Sequence, residues 1–300
     1  MKVSSFKGLN NVTDRLRLGL EWLAQADNVN ISETGALSKR AGYSLARAGS
    51  YTSAYSTLDF SRLYTVDALS IKDSMGNAIF ALTSSAPMFW TEVNENVYFN
   101  NGTDTGTILT DSTVEPWGTK PITINQYVGA DGKLLDALLN NLPTGCDVIQ
   151  HWKGCLYAAQ YFPSENQTVV WFSQPLGFHM FSLDSDFIIL PGRVLMLAPH
   201  DDALIIGTDA RIYAYTDAKL EMLADHGVVP GKSWEWDIDA KHLVFWTARG
   251  LCAALPFVNL TQNQISVAPG VHAGGCLVRS GGQKRFVAVL QQGGVPFNAL

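Results

Sequence analysis

Several short segments carry residue types able to do chemistry. Gly227-Val228-Val229-Pro230-Gly231-Lys232-Ser233 resembles a phosphate-cradling loop. Such a loop needs four residues between its glycines and a helix after them. Here three intervene, one of them Pro230, and Trp234-Glu235-Trp236-Asp237 follows instead of a helical pattern, so the reading is rejected. His200-Asp201-Asp202 could supply metal ligands, and Asp225-His226 could pair a base with its orienting carboxylate. Both fall between apolar extended runs, where Asp and its polar neighbours cap turns, and that is how they are read. Asp184 and Asp186 stand like the start of a sialidase-type Asp box, but the Gly and Trp that should follow are missing and no second copy occurs. Paired carboxylates for glycoside hydrolysis cannot be located from spacing. The four cysteines include no C-x-x-C pair, and Cys252 and Cys276 lie in apolar segments that predict buried thiols. No catalytic residue, cofactor or metal ligand is assigned.

The elements that would position these residues are short strands. In 300 residues, 47% are hydrophobic, only 16% are charged, and the net charge is −6. An average soluble protein carries roughly 25% charge. The shortfall excludes a disordered chain or a coiled coil, and the lack of basic excess argues against a nucleic-acid grip. The N-terminus shows no apolar signal core, and no apolar run reaches the ~18 residues of a membrane helix. Residues 1–43 read as an arm ending in a β-hairpin, with Asn28-Val29-Asn30-Ile31 and Ala36-Leu37-Ser38-Lys39-Arg40 alternating about a turn at Ser32–Gly35. From residue 44 to 300, runs of Val, Ile, Leu, Tyr, Phe and Trp are punctuated by Asn, Asp, Gly and Ser. One helical stretch is predicted over Gly132–Asn140.

A repeat points to the architecture. Leu204-Ile205-Ile206-Gly207-Thr208 is followed by Ile212-Tyr213-Ala214-Tyr215, and Leu243-Val244-Phe245-Trp246-Thr247 by Leu251-Cys252-Ala253-Ala254, with the two copies 39 residues apart. Looser copies start at Val97, Leu156 and Phe286. The period is close to the ~40–45 residues of a four-stranded propeller blade. The expectation is an all-β, β-propeller-like body of about five or six blades. Among the tryptophans, Trp171 and Trp246 sit in apolar strands and read as core. Trp117, Trp234 and Trp236 are flanked by Pro, Gly, Glu and Asp and are interface candidates.

Beyond these patterns, Lys7-Gly8-Leu9-Asn10-Asn11-Val12, Leu16-Arg17-Leu18, Ala26–Ile31 and Thr34–Tyr43 resemble the opening of tailed-bacteriophage virion proteins. Trp171–Pro175, Asp225–Gly231 and Val244–Cys252 are similar to further segments of such proteins. The resemblance, to tail proteins of the β-propeller hub or nozzle type, implies a non-enzymatic virion component assembled in the bacterial cytoplasm. It further implies a homo-oligomeric ring, other tail proteins as partners, and an acidic channel past which DNA could slide. Within that ring the arm would add a strand to a neighbour, with Asn28, Asn30, Lys39 and Arg40 as arm contacts. A receptor- or glycan-binding tail tip, using Trp and Tyr on loops, is the alternative, and a propeller glycosidase acting on host polysaccharide is the rival from another class.

Overall fold

The computed structural model describes residues 5–32, 34–40, 42, 44–45, 47–117, 126–128, 134–136, 139–216, 219–237, 239–280 and 283–293. The chain divides into two compact units, Met1–Ala48 with Leu223–Leu300, and Gly49–Met222. Among the described residues every regular element is a strand, and no helix is long and apolar enough to cross a membrane.

The N-terminal segment holds β1 (Gly8–Leu9) and β2 (Trp22–Leu23), paired in parallel, and an antiparallel hairpin of β3 (Val29–Ile31) and β4 (Leu37–Lys39). Four-stranded meanders follow. The first contains β5 (Tyr51–Ser56), β6 (Leu63–Asp67), β7 (Ser70–Lys72) and β8 (Ala78–Ala81). The second contains β9 (Phe89–Val93), β10 (Asn96–Asn100), β11 (Thr105–Ile108) and β12 (Val114–Glu115). A small pair, β13 (Gln126–Val128) and β14 (Leu134–Asp136), comes next. The third sheet has five strands: β15 (Cys146–Trp152), β16 (Cys155–Phe162), β17 (Gln167–Gln174), β18 (Gly177–Phe181) and β19 (Phe187–Pro191). The fourth is β20 (Val194–Pro199), β21 (Leu204–Thr208), β22 (Ile212–Thr216) and β23 (Lys219–Ala224). The fifth is β24 (Trp234–Asp237), β25 (His242–Thr247), β26 (Gly250–Ala254) and β27 (Val258–Asn259), after which β28 (His272–Ser280) and β29 (Gln283–Gln291) form a long hairpin.

This is an all-β, propeller-like arrangement: short meanders of consecutive antiparallel strands. The repeat falls in register on it. Leu204–Thr208 and Leu243–Thr247 are β21 and β25, the second strands of their sheets, and Val97 and Leu156 lie in the second strands β10 and β16. The threonine closing each copy explains part of the pattern. Thr208 Oγ1 accepts the Arg211 N–H at 2.8 Å, and Thr247 Oγ1 accepts the Arg249 N–H at 3.1 Å. Each hydroxyl thereby locks the tight turn to the next strand.

Within Gly49–Met222 the first strands β9, β15 and β20 succeed one another in contact. The second strand β21 is buried throughout, and Leu204, Ile205 and Ile206 are fully enclosed. Val148, Leu190, Val194, Leu204 and Tyr213 share one core, and Tyr64, Ile71, Val97 and Phe99 another.

Two expectations are corrected. Of the helix predicted over Gly132–Asn140, residues 134–136 are extended and pair antiparallel with Gln126–Val128; residues 132–133 and 137–138 lie outside the described residues. Local helix propensity yields here to the partner strand. Cys276 is exposed rather than buried. In β28 Ala273 is buried and Leu277 half-buried while Cys276 and Val278 are exposed, as the two-residue period of a ribbon covered on one face requires.

Candidate interaction site

The N-terminal segment is knit together by backbone groups. Phe6 N–H donates to Gly35 O at 2.9 Å, Lys7 N–H to Glu21 O at 2.7 Å, and Asn10 N–H to Leu23 O at 2.8 Å. Asn10 Oδ1 accepts the Val12 and Thr13 N–H groups and starts the turn that follows. Asn11 is the main tie. Its Oδ1 accepts the Ser266 N–H at 2.7 Å, its Nδ2 donates to Ser266 O at 2.8 Å, and its own N–H donates to Gln264 O at 3.0 Å. The amide thus imitates one rung of a β-ladder across 255 residues of sequence. Gly35 makes the hairpin's approach to Phe6 feasible: φ is +78°, and a Cβ there would sit 2.7 Å from Phe6 N.

Between this segment and β29 lies an open groove of about 590 Å³, lined by Phe6, Lys7, Ile31, Thr34, Lys284 and Arg285 among others. Its cations are partly neutralised. Lys7 pairs with Glu21 at 3.1 Å, and Lys284 Nζ meets Asp237 at 2.5 Å and Asp239 at 3.6 Å. Burial works against ionisation of Asp237. The Lys284 bond and the N–H groups of Ala240 and Asp239 outweigh it and hold the carboxyl below its ordinary range.

The predicted arm residues come together in the hairpin. Asn28 has φ of +54°, and Arg40 N–H donates to its carbonyl at 2.8 Å. Arg40 Nη2 lies 3.4 Å from Asn28 Oδ1. Asn30 is half-buried opposite Ser38, and Lys39 and Arg40 are exposed. Trp234 and Trp236 stand half-buried two positions apart on β24, with the Lys232 ammonium 5.0 Å above the Trp234 ring. Trp117 does not belong with them. It is 3% exposed, its Nε1 donates to Phe178 O at 2.9 Å, and Tyr98 packs edge-on at 5.4 Å. Its polar sequence neighbours concealed a core position, because the indole N–H finds a buried carbonyl.

The remaining chemical candidates read as structural. His200 Nδ1 accepts the Asp202 N–H at 3.1 Å, so the His-Asp-Asp run caps its turn. Asp225 lies 3.8 Å from His226 Nδ1 and 3.3 Å from Arg249. Burial and Arg249 push the His226 pKa down against the pull of Asp225, so the ring is neutral at pH 7. Asp186 accepts from Ser185 at 2.7 Å within its own turn and from Gln174, at the end of β17, at 2.5 Å. Burial raises the Cys146 thiol well above its ordinary range, with Asp147 adding to the shift. Among the described residues no group of three or more His, Cys, Asp or Glu side chains is placed to hold a metal ion. The Asn11–Ser266 tie was invisible in the sequence, since nothing local marks a pairing between such distant residues.

No family model and no curated protein sequence matches the chain. Among solved structures it is similar to the AfRom2 CNH domain, at 7% identity over 80% of this chain and 94% of that one, with a TM-score of 0.46. It is also similar to Hsv2 of Kluyveromyces lactis, at 11% identity over 76% and 67%, with a TM-score of 0.39. A third likeness is to the extracellular domain assigned to a hybrid two-component system of B. thetaiotaomicron, at 13% identity and a TM-score of 0.44. That match covers 75% of this chain, which spans 29% of the length of that protein. These scores carry no argument about function. The sheet order itself carries the fold assignment.

Proposed function

We propose that this chain is a structural, non-enzymatic component of a bacteriophage tail. It would be a propeller-like subunit of the hub or nozzle type, assembled into the virion in the bacterial cytoplasm. The observation that carries this reading is the N-terminal segment. Among the described residues of 5–40 the sheets are two-stranded only, and Val12, Leu16, Leu20, Val29 and Leu37 are exposed, Leu16 at 95%. A segment with so much uncovered apolar surface is suited to a neighbouring subunit. The sequence resemblance to virion tail proteins includes this same segment and supports the reading. A net charge of −6 suits a channel wall past which DNA must slide without binding.

Native mass measurement and electron microscopy of the purified full chain test the proposal. The expected result is a closed ring whose subunit interfaces each bury more than ~2,000 Å². A stable monomer that cleaves host surface polysaccharide overturns it in favour of the glycosidase.

A further inference from the structure

The turn joining β5 to β6 has an unusual tip. Leu58 is 76% exposed and Phe60 85%, and Phe60 sits at φ +59°, a region that bulky side chains avoid. A loose exposed turn would relax out of that conformation, but this one is pinned. The Thr57 hydroxyl donates to Asp59 Oδ1 at 2.6 Å and accepts the Arg62 N–H at 3.0 Å. Asp59 Oδ1 also accepts the Ser61 N–H at 3.1 Å, and Phe60 N–H donates to Thr57 O at 2.9 Å. From the next sheet, Glu92 Oε2 accepts the Leu58 N–H at 2.8 Å. The Arg62 guanidinium donates to Leu109 O at 3.1 Å and to Glu95 O, tying the tip to the β9–β10 and β11–β12 turns. Polar groups that could serve catalysis or capping are thus spent on holding two apolar side chains out in water.

The surroundings are acidic. Asp59, Glu95 and Asp111 lie on these three linked turns, Glu92 lies near the end of β9, and Arg62 is occupied among the turn carbonyls. Hydrogen bonds from Ser61 and Thr57 hold the Asp59 carboxyl down to about 2, so it is charged at neutral pH.

We propose that Leu58 and Phe60 form a preformed anchor for another protein, seating in an apolar pocket whose rim carries Lys or Arg. A rigid aromatic loses little conformational entropy on docking, which is what an anchor residue needs. The acidic collar selects the partner class. In a protein pocket the collar stays wet and faces cations. At a bilayer the same carboxylates would be dehydrated alongside the anchor and repelled by anionic headgroups. The inference rests on this loop alone and stands or falls separately from the tail assignment.

Cyclodextrins supply defined apolar pockets with rims of chosen charge. Titration of the full chain with per-amino-β-cyclodextrin, neutral β-cyclodextrin and sulfated β-cyclodextrin is followed by calorimetry, and in the wild type also through the Phe60 ring protons. The expected order is amino over neutral by roughly fivefold at low salt, narrowing in ~0.5 M salt, with no binding of the sulfated ring. Glu95→Gln should shrink the preference for the amino ring. Phe60→Gly should abolish the binding while leaving the Tm unchanged or raised, since glycine relieves the positive φ. Failure of all three rings to bind, equal binding of the sulfated ring, or undiminished binding by Phe60→Gly overturns the proposal. So does a fall in Tm with Phe60→Gly, which would make the ring part of the fold. Phe60-dependent co-sedimentation with phosphatidylglycerol or phosphatidylcholine vesicles would assign the tip to membranes instead.

Discussion

The sheet β20–β23 and the small sheets of residues 5–40 use the same extended backbone to opposite ends. In β21 every residue from Leu204 to Thr208 is buried, so this strand is covered on both faces. In β4 all three residues are exposed, and Leu37 is among them. The first is stabilised by apolar area removed from water, at about 25 cal/mol per Å². The second is held by backbone hydrogen bonds and the Asn11 amide, each contributing about 1 kcal/mol net. Strand content therefore says nothing about where the stability lies. Covered faces supply it in one region, while the other is positioned with its apolar side chains left for something else.

The largest expected effect tests the covered region. Leu204→Ala should cost about 3 kcal/mol, read as a lower denaturant midpoint. A loss under ~1 kcal/mol would mean the site collapses without a cavity, and the contrast would fail. Next comes the Asp237–Lys284 pair. Lys284→Met should cost about 1–2 kcal/mol at pH 7, because a buried carboxylate loses its cation. The Asp237 pKa is lower folded than unfolded. Its contribution is therefore full above the unfolded carboxyl pKa of ~3.9 and disappears as pH falls through the folded value. Wild type should lose stability across that acid window more steeply than Lys284→Met, and parallel pH–stability curves would remove the pair from the account. The smallest effect falls on the exposed segment. Leu16→Ser should change monomer stability by less than ~0.5 kcal/mol, while lowering the mass of any assembly the segment builds. A large loss of stability would place Leu16 inside the fold.

Much of the architecture was legible because a strand's side-chain period and a blade's length are both written locally. The 39-residue offset between Leu204 and Leu243 marked equivalent second strands, and the Ser32–Gly35 turn marked the hairpin. Trp117 was not legible. Pro116 and Gly118 beside it suggest a surface turn, and only the carbonyl of Phe178, 61 residues away, makes it a core residue. The Leu134-Leu135-Asp136 run was misread for the same reason, since its strand partner lies outside any helical window. Phe60 gave no signal at all, because neither a positive φ nor the hydrogen bonds that impose it can be seen in residue types.

By itself the sequence determined the all-β class, the meander repeat, the hairpin and the absence of any basic surplus, since each follows from composition or short-range period. Tertiary structure decided which apolar residues are covered and which are left out. Leu204 and Leu37 are the same residue in the same backbone geometry, and they differ only in whether a neighbouring sheet lies against them.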